Sequence, residues 1–138
     1  MDVTQIPFNK FVEICYSNQD EEILQLRFNS NMKNHLGTFH ASAQFALAEA
    51  ASGFSLQRYF SHLADSAVPV LRKADIKFKK PAESNIFAKA CIGVEAKEKF
   101  LQQFEKKGRS ILAVPVEVLD SNNTITMAGT YEWFVQKI

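Results

Sequence analysis

Short stretches of alternating hydrophobic and polar positions predict the strands of this chain. Residues 12–16 and 23–28 are β-prone and flank a polar segment, which predicts a hairpin. After a long apolar segment, alternation returns in residues 68–80, and strands are then predicted at residues 85–95, 110–119 and 124–135. The last two enclose a polar turn and predict a second hairpin, in which Pro115 indicates an edge position or a bulge.

The long apolar segment predicts a buried helix. From Thr38, a candidate N-cap, to about Phe60, helix-compatible residues predominate, and the apolar ones point in nearly all directions around a helix. Such a helix is buried on most sides. A shorter helix is predicted at residues 98–107, because phenylalanines recur there at helical spacing and Gly108 occupies the C-cap region.

The order of these elements is strand, strand, long helix and four strands. It predicts an α+β fold in which one antiparallel sheet wraps around a central helix. The length of 138 residues predicts one domain, residues 1–138, with a sizeable core.

Composition narrows the functional classes. Sixteen basic and fifteen acidic residues nearly balance, so neither a nucleic acid nor a membrane surface is an expected partner. No stretch approaches the roughly twenty apolar residues of a membrane span, and residues 1–8 lack a signal-peptide pattern, so a cytoplasmic location is expected. Cys15 and Cys91 have no metal-binding spacing, which predicts free thiols, and no metal or other cofactor is expected.

Up to its last turn, the predicted long helix contains a single charged residue. Between Lys33 and Arg58 only Glu49 has a full charge at neutral pH. A carboxylate in a buried helix is costly unless it is paired, hydrogen-bonded or protonated. Arg58 is nine residues further on and about 180° round the helix, so it cannot be a partner within the helix. Glu49 is therefore either a functional group or one satisfied by a contact across the fold.

The start of the same helix offers a second chemical element. Its first backbone N–H groups, around His40 and Ala41, lack intrahelical acceptors and carry the positive end of the helix dipole. Such donors stabilise the oxyanion that forms when a thioester carbonyl is attacked, although every helix has such an end. Ala41 is about 12 Å along the axis from Glu49. If both groups act on one carbonyl, they come from two chains of a symmetric dimer with two shared sites.

A motif joins these two elements. Residues 34–42 read NHLGTFHAS, and Glu49 follows nine residues after His40. The motif resembles the signature of hotdog-fold acyl-CoA thioesterases of the phenylacetate-degradation type, N-x-x-G-T-x-H-G-G followed by an acid at this spacing. The resemblance spans about residues 8–135 in element order, and the short helix before Gly108 is similar to one in a poorly characterised branch of the superfamily. It implies a hotdog fold.

The resemblance also implies a function, hydrolysis of an acyl-CoA or acyl-carrier thioester by a homodimer or a dimer of dimers. Glu49 would orient or deprotonate the attacking water, or attack directly. Asn34 would position the water or the carbonyl, His40 would contact the thioester region, and the amide of Ala41 would bind the oxyanion. Further substrate-binding candidates are the motif residues Gly37 and Ser42, and two basic residues that either bind the phosphates of CoA or form a solvated strand face, Arg72 and Lys73.

Departures from the family pattern keep two other functions open. Ala41 and Ser42 replace the glycine pair of the motif, and Leu71 stands where some relatives carry a hydroxyl residue. A non-catalytic acyl-CoA-binding or lipid-binding hotdog protein is therefore one alternative. The other is a hotdog 3-hydroxyacyl thioester dehydratase, because His35 precedes Glu49 by fourteen residues, although the prolines of the dehydratase motif are missing.

Overall fold

The computed structural model describes residues 1–21 and 23–138. This part of the chain forms one antiparallel sheet in the order β1-β2-β4-β5-β6-β3. The strands are β1 (Cys15–Tyr16), β2 (Leu24–Leu26), β3 (Ala67–Phe78), β4 (Ile86–Ala90), β5 (Arg109–Leu119) and β6 (Ile125–Lys137). The helices are α1 (Pro7–Phe11), α2 (Ala41–Tyr59) and α3 (Val94–Lys107), with short 3-10 turns at Val3–Gln5, Ser30–Met32 and Ser61–Leu63.

Helix α2 is the predicted long helix, and the sheet covers most of it. It packs against β2, β4, β5 and β6, and Leu47 and Ala48 are fully buried. The prediction of Thr38 as its N-cap is wrong. His40 caps the helix instead, because its Nδ1 accepts a hydrogen bond of 3.0 Å from the N–H of Ser42. Among the described helices, none is long and apolar enough to cross a membrane.

Strands β3, β5 and β6 form the long half of the sheet. On β6, Tyr131 and Trp133 are buried and point towards α2, whereas Glu132 and Phe134 alternate with them on the outward face. Strand β3 pairs with β6 along one side, and its other side is a free edge of the sheet. Gly129 of β6 lets the two strands approach, since a Cβ there would stand 2.2 Å from the carbonyl oxygen of Asp75.

Helix α3 begins earlier than the sequence predicts. The predicted strand at residues 85–95 is wrong at its end, because β4 stops at Ala90 and Val94 is the first residue of α3. Gly93 is the N-cap of this helix. The predicted C-terminus is confirmed: Gly108 has a φ of +69° and donates its N–H to the carbonyl of Phe104 at 2.8 Å.

The position of Pro115 also differs from the prediction. Both register shifts of the long strands lie elsewhere, and Pro115 occupies the middle of β5 opposite Thr130. Its carbonyl accepts a hydrogen bond from the N–H of Cys91, just beyond the end of β4. The nitrogen and carbonyl of one residue in an antiparallel strand point to the same side. The proline nitrogen therefore faces away from β6, and no bond to β6 is lost.

Candidate functional site

Glu49 lies on the half-buried face of α2, where two cavities meet. The first, here called the deep cavity, has a volume of about 470 Å³ and lies between the N-terminal segment, the second half of α2 and the sheet. The second, here called the helix-start groove, follows the first half of α2 and is lined by Ala41, Ser42, Phe45, Ala46 and Phe78. Glu49 and Phe8 line both spaces, so a molecule extending from one to the other passes the carboxylate.

The carboxylate of Glu49 has no protein partner among the described residues. No lysine, arginine or histidine of this part of the chain forms an ion pair with it, and no N–H or O–H donates to it. Burial raises the pKa of the carboxyl, because desolvation disfavours its charged form. The sequence left two possibilities for Glu49, a functional group or a group satisfied by a contact across the fold. The described residues provide no such contact. Glu49 lines both cavities instead.

Tyr131 is a neighbour of this carboxylate that the sequence did not single out as a site residue. Its phenol is fully buried, and burial together with the nearby charge of Glu49 raises the phenol pKa. The hydroxyl donates to the carbonyl of Phe45 at 2.9 Å, and the two rings pack edge to face at 5.1 Å. The phenol therefore fixes the first half of α2 against β6 rather than acting as a donor to Glu49.

Trp133 fixes the helix about two turns further along. Its Nε1 donates to Ser52 Oγ at 2.9 Å, and Ser52 Oγ donates to the backbone carbonyl of Glu49 at 2.7 Å. The indole lies against Gly53, where a Cβ would be 3.3 Å from the ring. The alternating pattern predicts β6, but nothing in the sequence indicates this hydrogen bond, since it joins residues that are 81 positions apart.

The start of α2 presents one free backbone donor. The N–H of Ser42 is bonded to the His40 ring, and the N–H of Ala43 is bonded to the carbonyl of His40 at 3.0 Å. For the N–H of Ala41 there is no acceptor in residues 1–21 or 23–138. Ala41 lines the helix-start groove together with Glu49. The two groups therefore lie along one groove, about 12 Å apart along the helix axis.

Asn34 holds the loop that leads to this helix start. Its Nδ2 donates to Thr38 Oγ1 and to the carbonyl of Phe39, and its Oδ1 accepts from the N–H groups of Leu36 and Thr38. These four bonds use the whole hydrogen-bonding capacity of the amide. Gly37, at the tip of the turn, has a φ of +78°, a conformation that glycine adopts without strain.

The remaining predicted residues lie apart from the two cavities. Arg72 is the extra residue of a bulge in β3, where its guanidinium contacts Glu132 at 3.8 Å and the ring of Phe134 on the outward face of the sheet. Lys73 follows it on β3 and is exposed. His35 is exposed on the turn and lines neither cavity. Within one protomer the structure does not bring these three side chains to Glu49.

The described residues contain no recognisable metal site. No three histidine, cysteine, aspartate or glutamate side chains of this part of the chain converge on a point that could hold an ion. Cys15 is half-buried and Cys91 is exposed, and both are free thiols as predicted. Within one protomer the cavities offer the carboxylate of Glu49 at their junction, a backbone N–H at the start of the groove, and mainly apolar walls.

Solved structures share this fold. A protein of unknown function from Pseudomonas aeruginosa, described as a probable thioesterase, superposes with a TM-score of 0.81 at 17% identity over 99% of this chain and 91% of that chain. A Bacillus halodurans protein solved with CoA superposes with a TM-score of 0.71 at 20% identity over 93% of this chain and 74% of that chain. The PaaI protein of the E. coli phenylacetic acid degradation operon superposes with a TM-score of 0.66 at 15% identity over 97% of this chain and 86% of that chain. These likenesses confirm the predicted hotdog fold.

The family comparison covers nearly the whole chain. A search among curated proteins gave no match. The family model described as Domain of unknown function (DUF4442) matches residues 4–135. The predicted resemblance to a poorly characterised family with this fold is thereby confirmed. The chain belongs to the DUF4442 family and has its long helix inside a hotdog sheet.

Proposed function

We propose that this protein hydrolyses an acyl thioester, with Glu49 as the general base. The observation that carries the proposal is an unpaired, half-buried carboxylate at the junction of two cavities. A raised pKa makes the carboxylate a stronger base for water than an exposed glutamate. The CoA in the Bacillus halodurans structure supports an acyl-CoA as the substrate, with an acyl-carrier thioester as the other form.

In this mechanism each group has one task. Glu49 takes a proton from a water molecule, and the water oxygen bonds to the thioester carbon. The N–H of Ala41, which has no acceptor among the described residues, stabilises the resulting oxyanion. When the tetrahedral intermediate collapses, the carbon–sulfur bond breaks and the thiolate takes the proton from Glu49. Asn34 acts by holding the loop before Ala41, and Ser42 lines the path of the thioester.

The site also requires two chains. Ala41 and Glu49 of one protomer are about 12 Å apart along the helix, too far to act on one carbonyl. Antiparallel α2 helices in a symmetric dimer would bring each helix start beside the other Glu49. Two features support this arrangement: the free edge of β3, and the exposed aromatic residues around the groove, Phe8, Phe45 and Phe78. Association of two such dimers into a tetramer is part of the same proposal.

Mixing two inactive variants tests the shared site. Glu49→Gln removes the base, and Ala41→Pro removes the oxyanion donor. In a mixed dimer one site has both defects and the other has none. Random subunit exchange makes half of the dimers mixed, so the mixture should regain up to about a quarter of the wild-type activity. A mixture that stays inactive although exchange is demonstrated by mass spectrometry contradicts the shared site but leaves hydrolysis open.

Assays with different substrates and variants distinguish hydrolysis from dehydration and from binding without turnover. Turnover of acyl-CoA that Glu49→Gln abolishes supports hydrolysis. Water loss from a 3-hydroxyacyl-CoA that depends on His35 supports the dehydratase, and tight binding without turnover supports a carrier or sensor. His35 is exposed and lines neither cavity of its own protomer, so dehydration would require this side chain to come from the partner chain. The matched control is His62→Ala, at another exposed histidine that lines neither cavity.

A further inference from the structure

The deep cavity is elongated in the direction of α2. Residues of this helix and its C-cap line the cavity at spacings that place them on one face of the helix: Glu49, Ala50, Gly53, Leu56, Gln57 and Phe60. From Glu49 to Phe60 this stripe advances about 16 Å along the helix axis. Glu49 also lines the helix-start groove. The cavity therefore begins at Glu49 and continues along the second half of the helix.

Ala67 lies at the far end of this cavity. Strand β6 runs in the same direction as α2, because Tyr131 bonds to the first half of the helix and Trp133 bonds to Ser52 further along. Ala67, the first residue of β3, pairs with Lys137, which lies about 13 Å beyond Trp133 on β6. Ala67 is buried and lines the cavity. A larger side chain at this position would therefore shorten the cavity from its far end.

The walls between these two ends offer an incoming molecule few polar partners. The amides of Asn9 and Gln57 both donate to backbone carbonyls of the N-terminal segment, and Asp65 is exposed. The indole N–H of Trp133 is bonded within the protein, and the other lining residues beyond Glu49 are apolar. Such walls suit an alkyl chain, because it gains free energy by leaving water and needs no hydrogen bond.

The volume of the cavity favours a chain over a single aromatic ring. A benzene ring fills a cavity of about 150 Å³, so it would leave about two thirds of the 470 Å³ empty. An extended alkyl chain advances about 1.3 Å per carbon, so about twelve carbons span the length of the stripe on α2. A methylene group takes about as much room as a water molecule, roughly 30 Å³. Twelve to fourteen of them therefore fill most of the cavity.

We propose that the deep cavity holds the acyl part of the substrate, an unbranched alkyl chain of about twelve to fourteen carbons. The inference rests on the proposed hydrolysis for the position of the thioester beside Glu49. From there the chain extends along α2, and its last carbons lie beside Ala67. Longer chains gain nothing, since their ends leave the cavity. The substrate class is thus a fatty acyl thioester rather than an aromatic one.

A series of CoA esters on the wild type tests the chain length: hexanoyl-CoA, dodecanoyl-CoA, tetradecanoyl-CoA, octadecanoyl-CoA and phenylacetyl-CoA. We expect kcat/KM for dodecanoyl-CoA to exceed that for hexanoyl-CoA by about 50-fold or more, which half of the usual gain per buried methylene would give. Octadecanoyl-CoA should gain nothing over tetradecanoyl-CoA, and phenylacetyl-CoA should fall at least 10-fold below dodecanoyl-CoA. Hydrolysis of hexanoyl-CoA or phenylacetyl-CoA as fast as dodecanoyl-CoA would overturn the inference and leave the hydrolysis intact.

A variant at the far end assigns the chain to the deep cavity. In Ala67→Phe the added ring takes the room of about five methylene groups, so the ratio of kcat/KM for dodecanoyl-CoA to that for hexanoyl-CoA should fall at least 10-fold. Val68→Phe is the matched control, since Val68 is the next residue of β3, is 49% exposed and does not line the cavity. It should keep the wild-type ratio. An unchanged ratio in a folded Ala67→Phe variant contradicts the assignment. If that variant does not fold, Ala67→Leu should lower the ratio by a smaller factor, and an unchanged ratio there counts equally against it.

A binding measurement separates this inference from the proposed hydrolysis. Titration calorimetry of Glu49→Gln with dodecanoate, hexanoate and phenylacetate needs no turnover. Tighter binding of dodecanoate, lost in the double variant with Ala67→Phe, supports the inference even if no CoA ester is hydrolysed. Equal binding of the three acids counts against it, whatever the outcome of the activity assays.

Discussion

At the scale of single residues, the environment of Glu49 has opposite consequences for activity and stability. Burial raises the pKa of its carboxyl, so the folded protein holds this proton more tightly than the unfolded chain does. Below the pKa of the unfolded chain the group is neutral in both states and costs nothing. As the pH rises through the folded pKa, the buried charge forms and lowers the free energy of unfolding. The ionised form of Glu49, which is the base, therefore exists only at pH values at which its charge lowers the free energy of unfolding.

Glu49→Gln should therefore inactivate the protein and stabilise it at neutral pH. The free energy of unfolding of the variant should exceed that of the wild type near pH 7, and the difference should vanish as the pH falls to the ordinary glutamate range. Urea denaturation at several pH values measures this. In the wild type, kcat/KM should decline as the pH falls, at a higher pH than an exposed glutamate would give. A variant that is less stable at pH 7 would contradict the unpaired state of Glu49.

Ala41→Pro should remove the oxyanion donor with little effect on the fold. Ala41 is the first residue of α2, where proline is favoured, and its N–H has no acceptor among the described residues. The preceding His40 has a ψ of 140°, as a residue before proline requires. We expect kcat to fall about 100- to 1000-fold, with an unchanged melting temperature. A matched control is Ser42→Ala, which keeps every backbone donor.

At this scale, the sequence indicates the candidate reactive groups but not the residues that position them. Glu49 is recognisable because it is the one acidic residue of an apolar helix, and Ala41 because helix starts have free donors. The amide of Asn34 was assigned to substrate, whereas its four bonds within the loop depend on a backbone turn that no pattern encodes.

At the scale of elements, helix caps and strand contacts explain where prediction succeeded. The alternation of hydrophobic and polar residues predicts almost the whole of β5 and β6, because each strand has one buried and one exposed face. It also predicts β3. That strand is largely exposed, and of its alternating residues Ile76 packs partly against the core. The end of β4 was missed because a glycine N-cap, Gly93, leaves little trace in a hydrophobic pattern.

Gly129→Ala should loosen the contact between β3 and β6. The added methyl group would meet the carbonyl of Asp75 and the Cα of Ile76, which are backbone atoms and cannot rotate away. We expect a loss of about 1–3 kcal/mol in the free energy of unfolding, the usual cost of overpacking, measured by urea denaturation. The control is Gly93→Ala, where nothing lies within 4 Å of the added methyl group and only a small capping cost of up to about 1 kcal/mol applies.

At the scale of the whole molecule, activity and assembly should be linked. If the site is shared, specific activity should fall on dilution in parallel with dissociation of the dimer. Phe78→Glu places a charge beside the helix-start groove at a side chain that is 47% exposed, so the protomer should fold while the dimer weakens. Ile111→Glu is the control, since Ile111 is 46% exposed but lies on β5, away from the groove. Sedimentation velocity and activity measured on the same samples test the link.

The unequal edges of the sheet limit how copies can add to one another. One edge is β3, with twelve residues, and the other is β1, with two. A fibre grows indefinitely by strand pairing only if each copy has, at both edges of its sheet, a strand long enough to pair. The short β1 offers almost no backbone for a third copy once two β3 edges have met. Strand pairing through β3 would therefore stop at two copies, because such a pair presents only its short β1 edges.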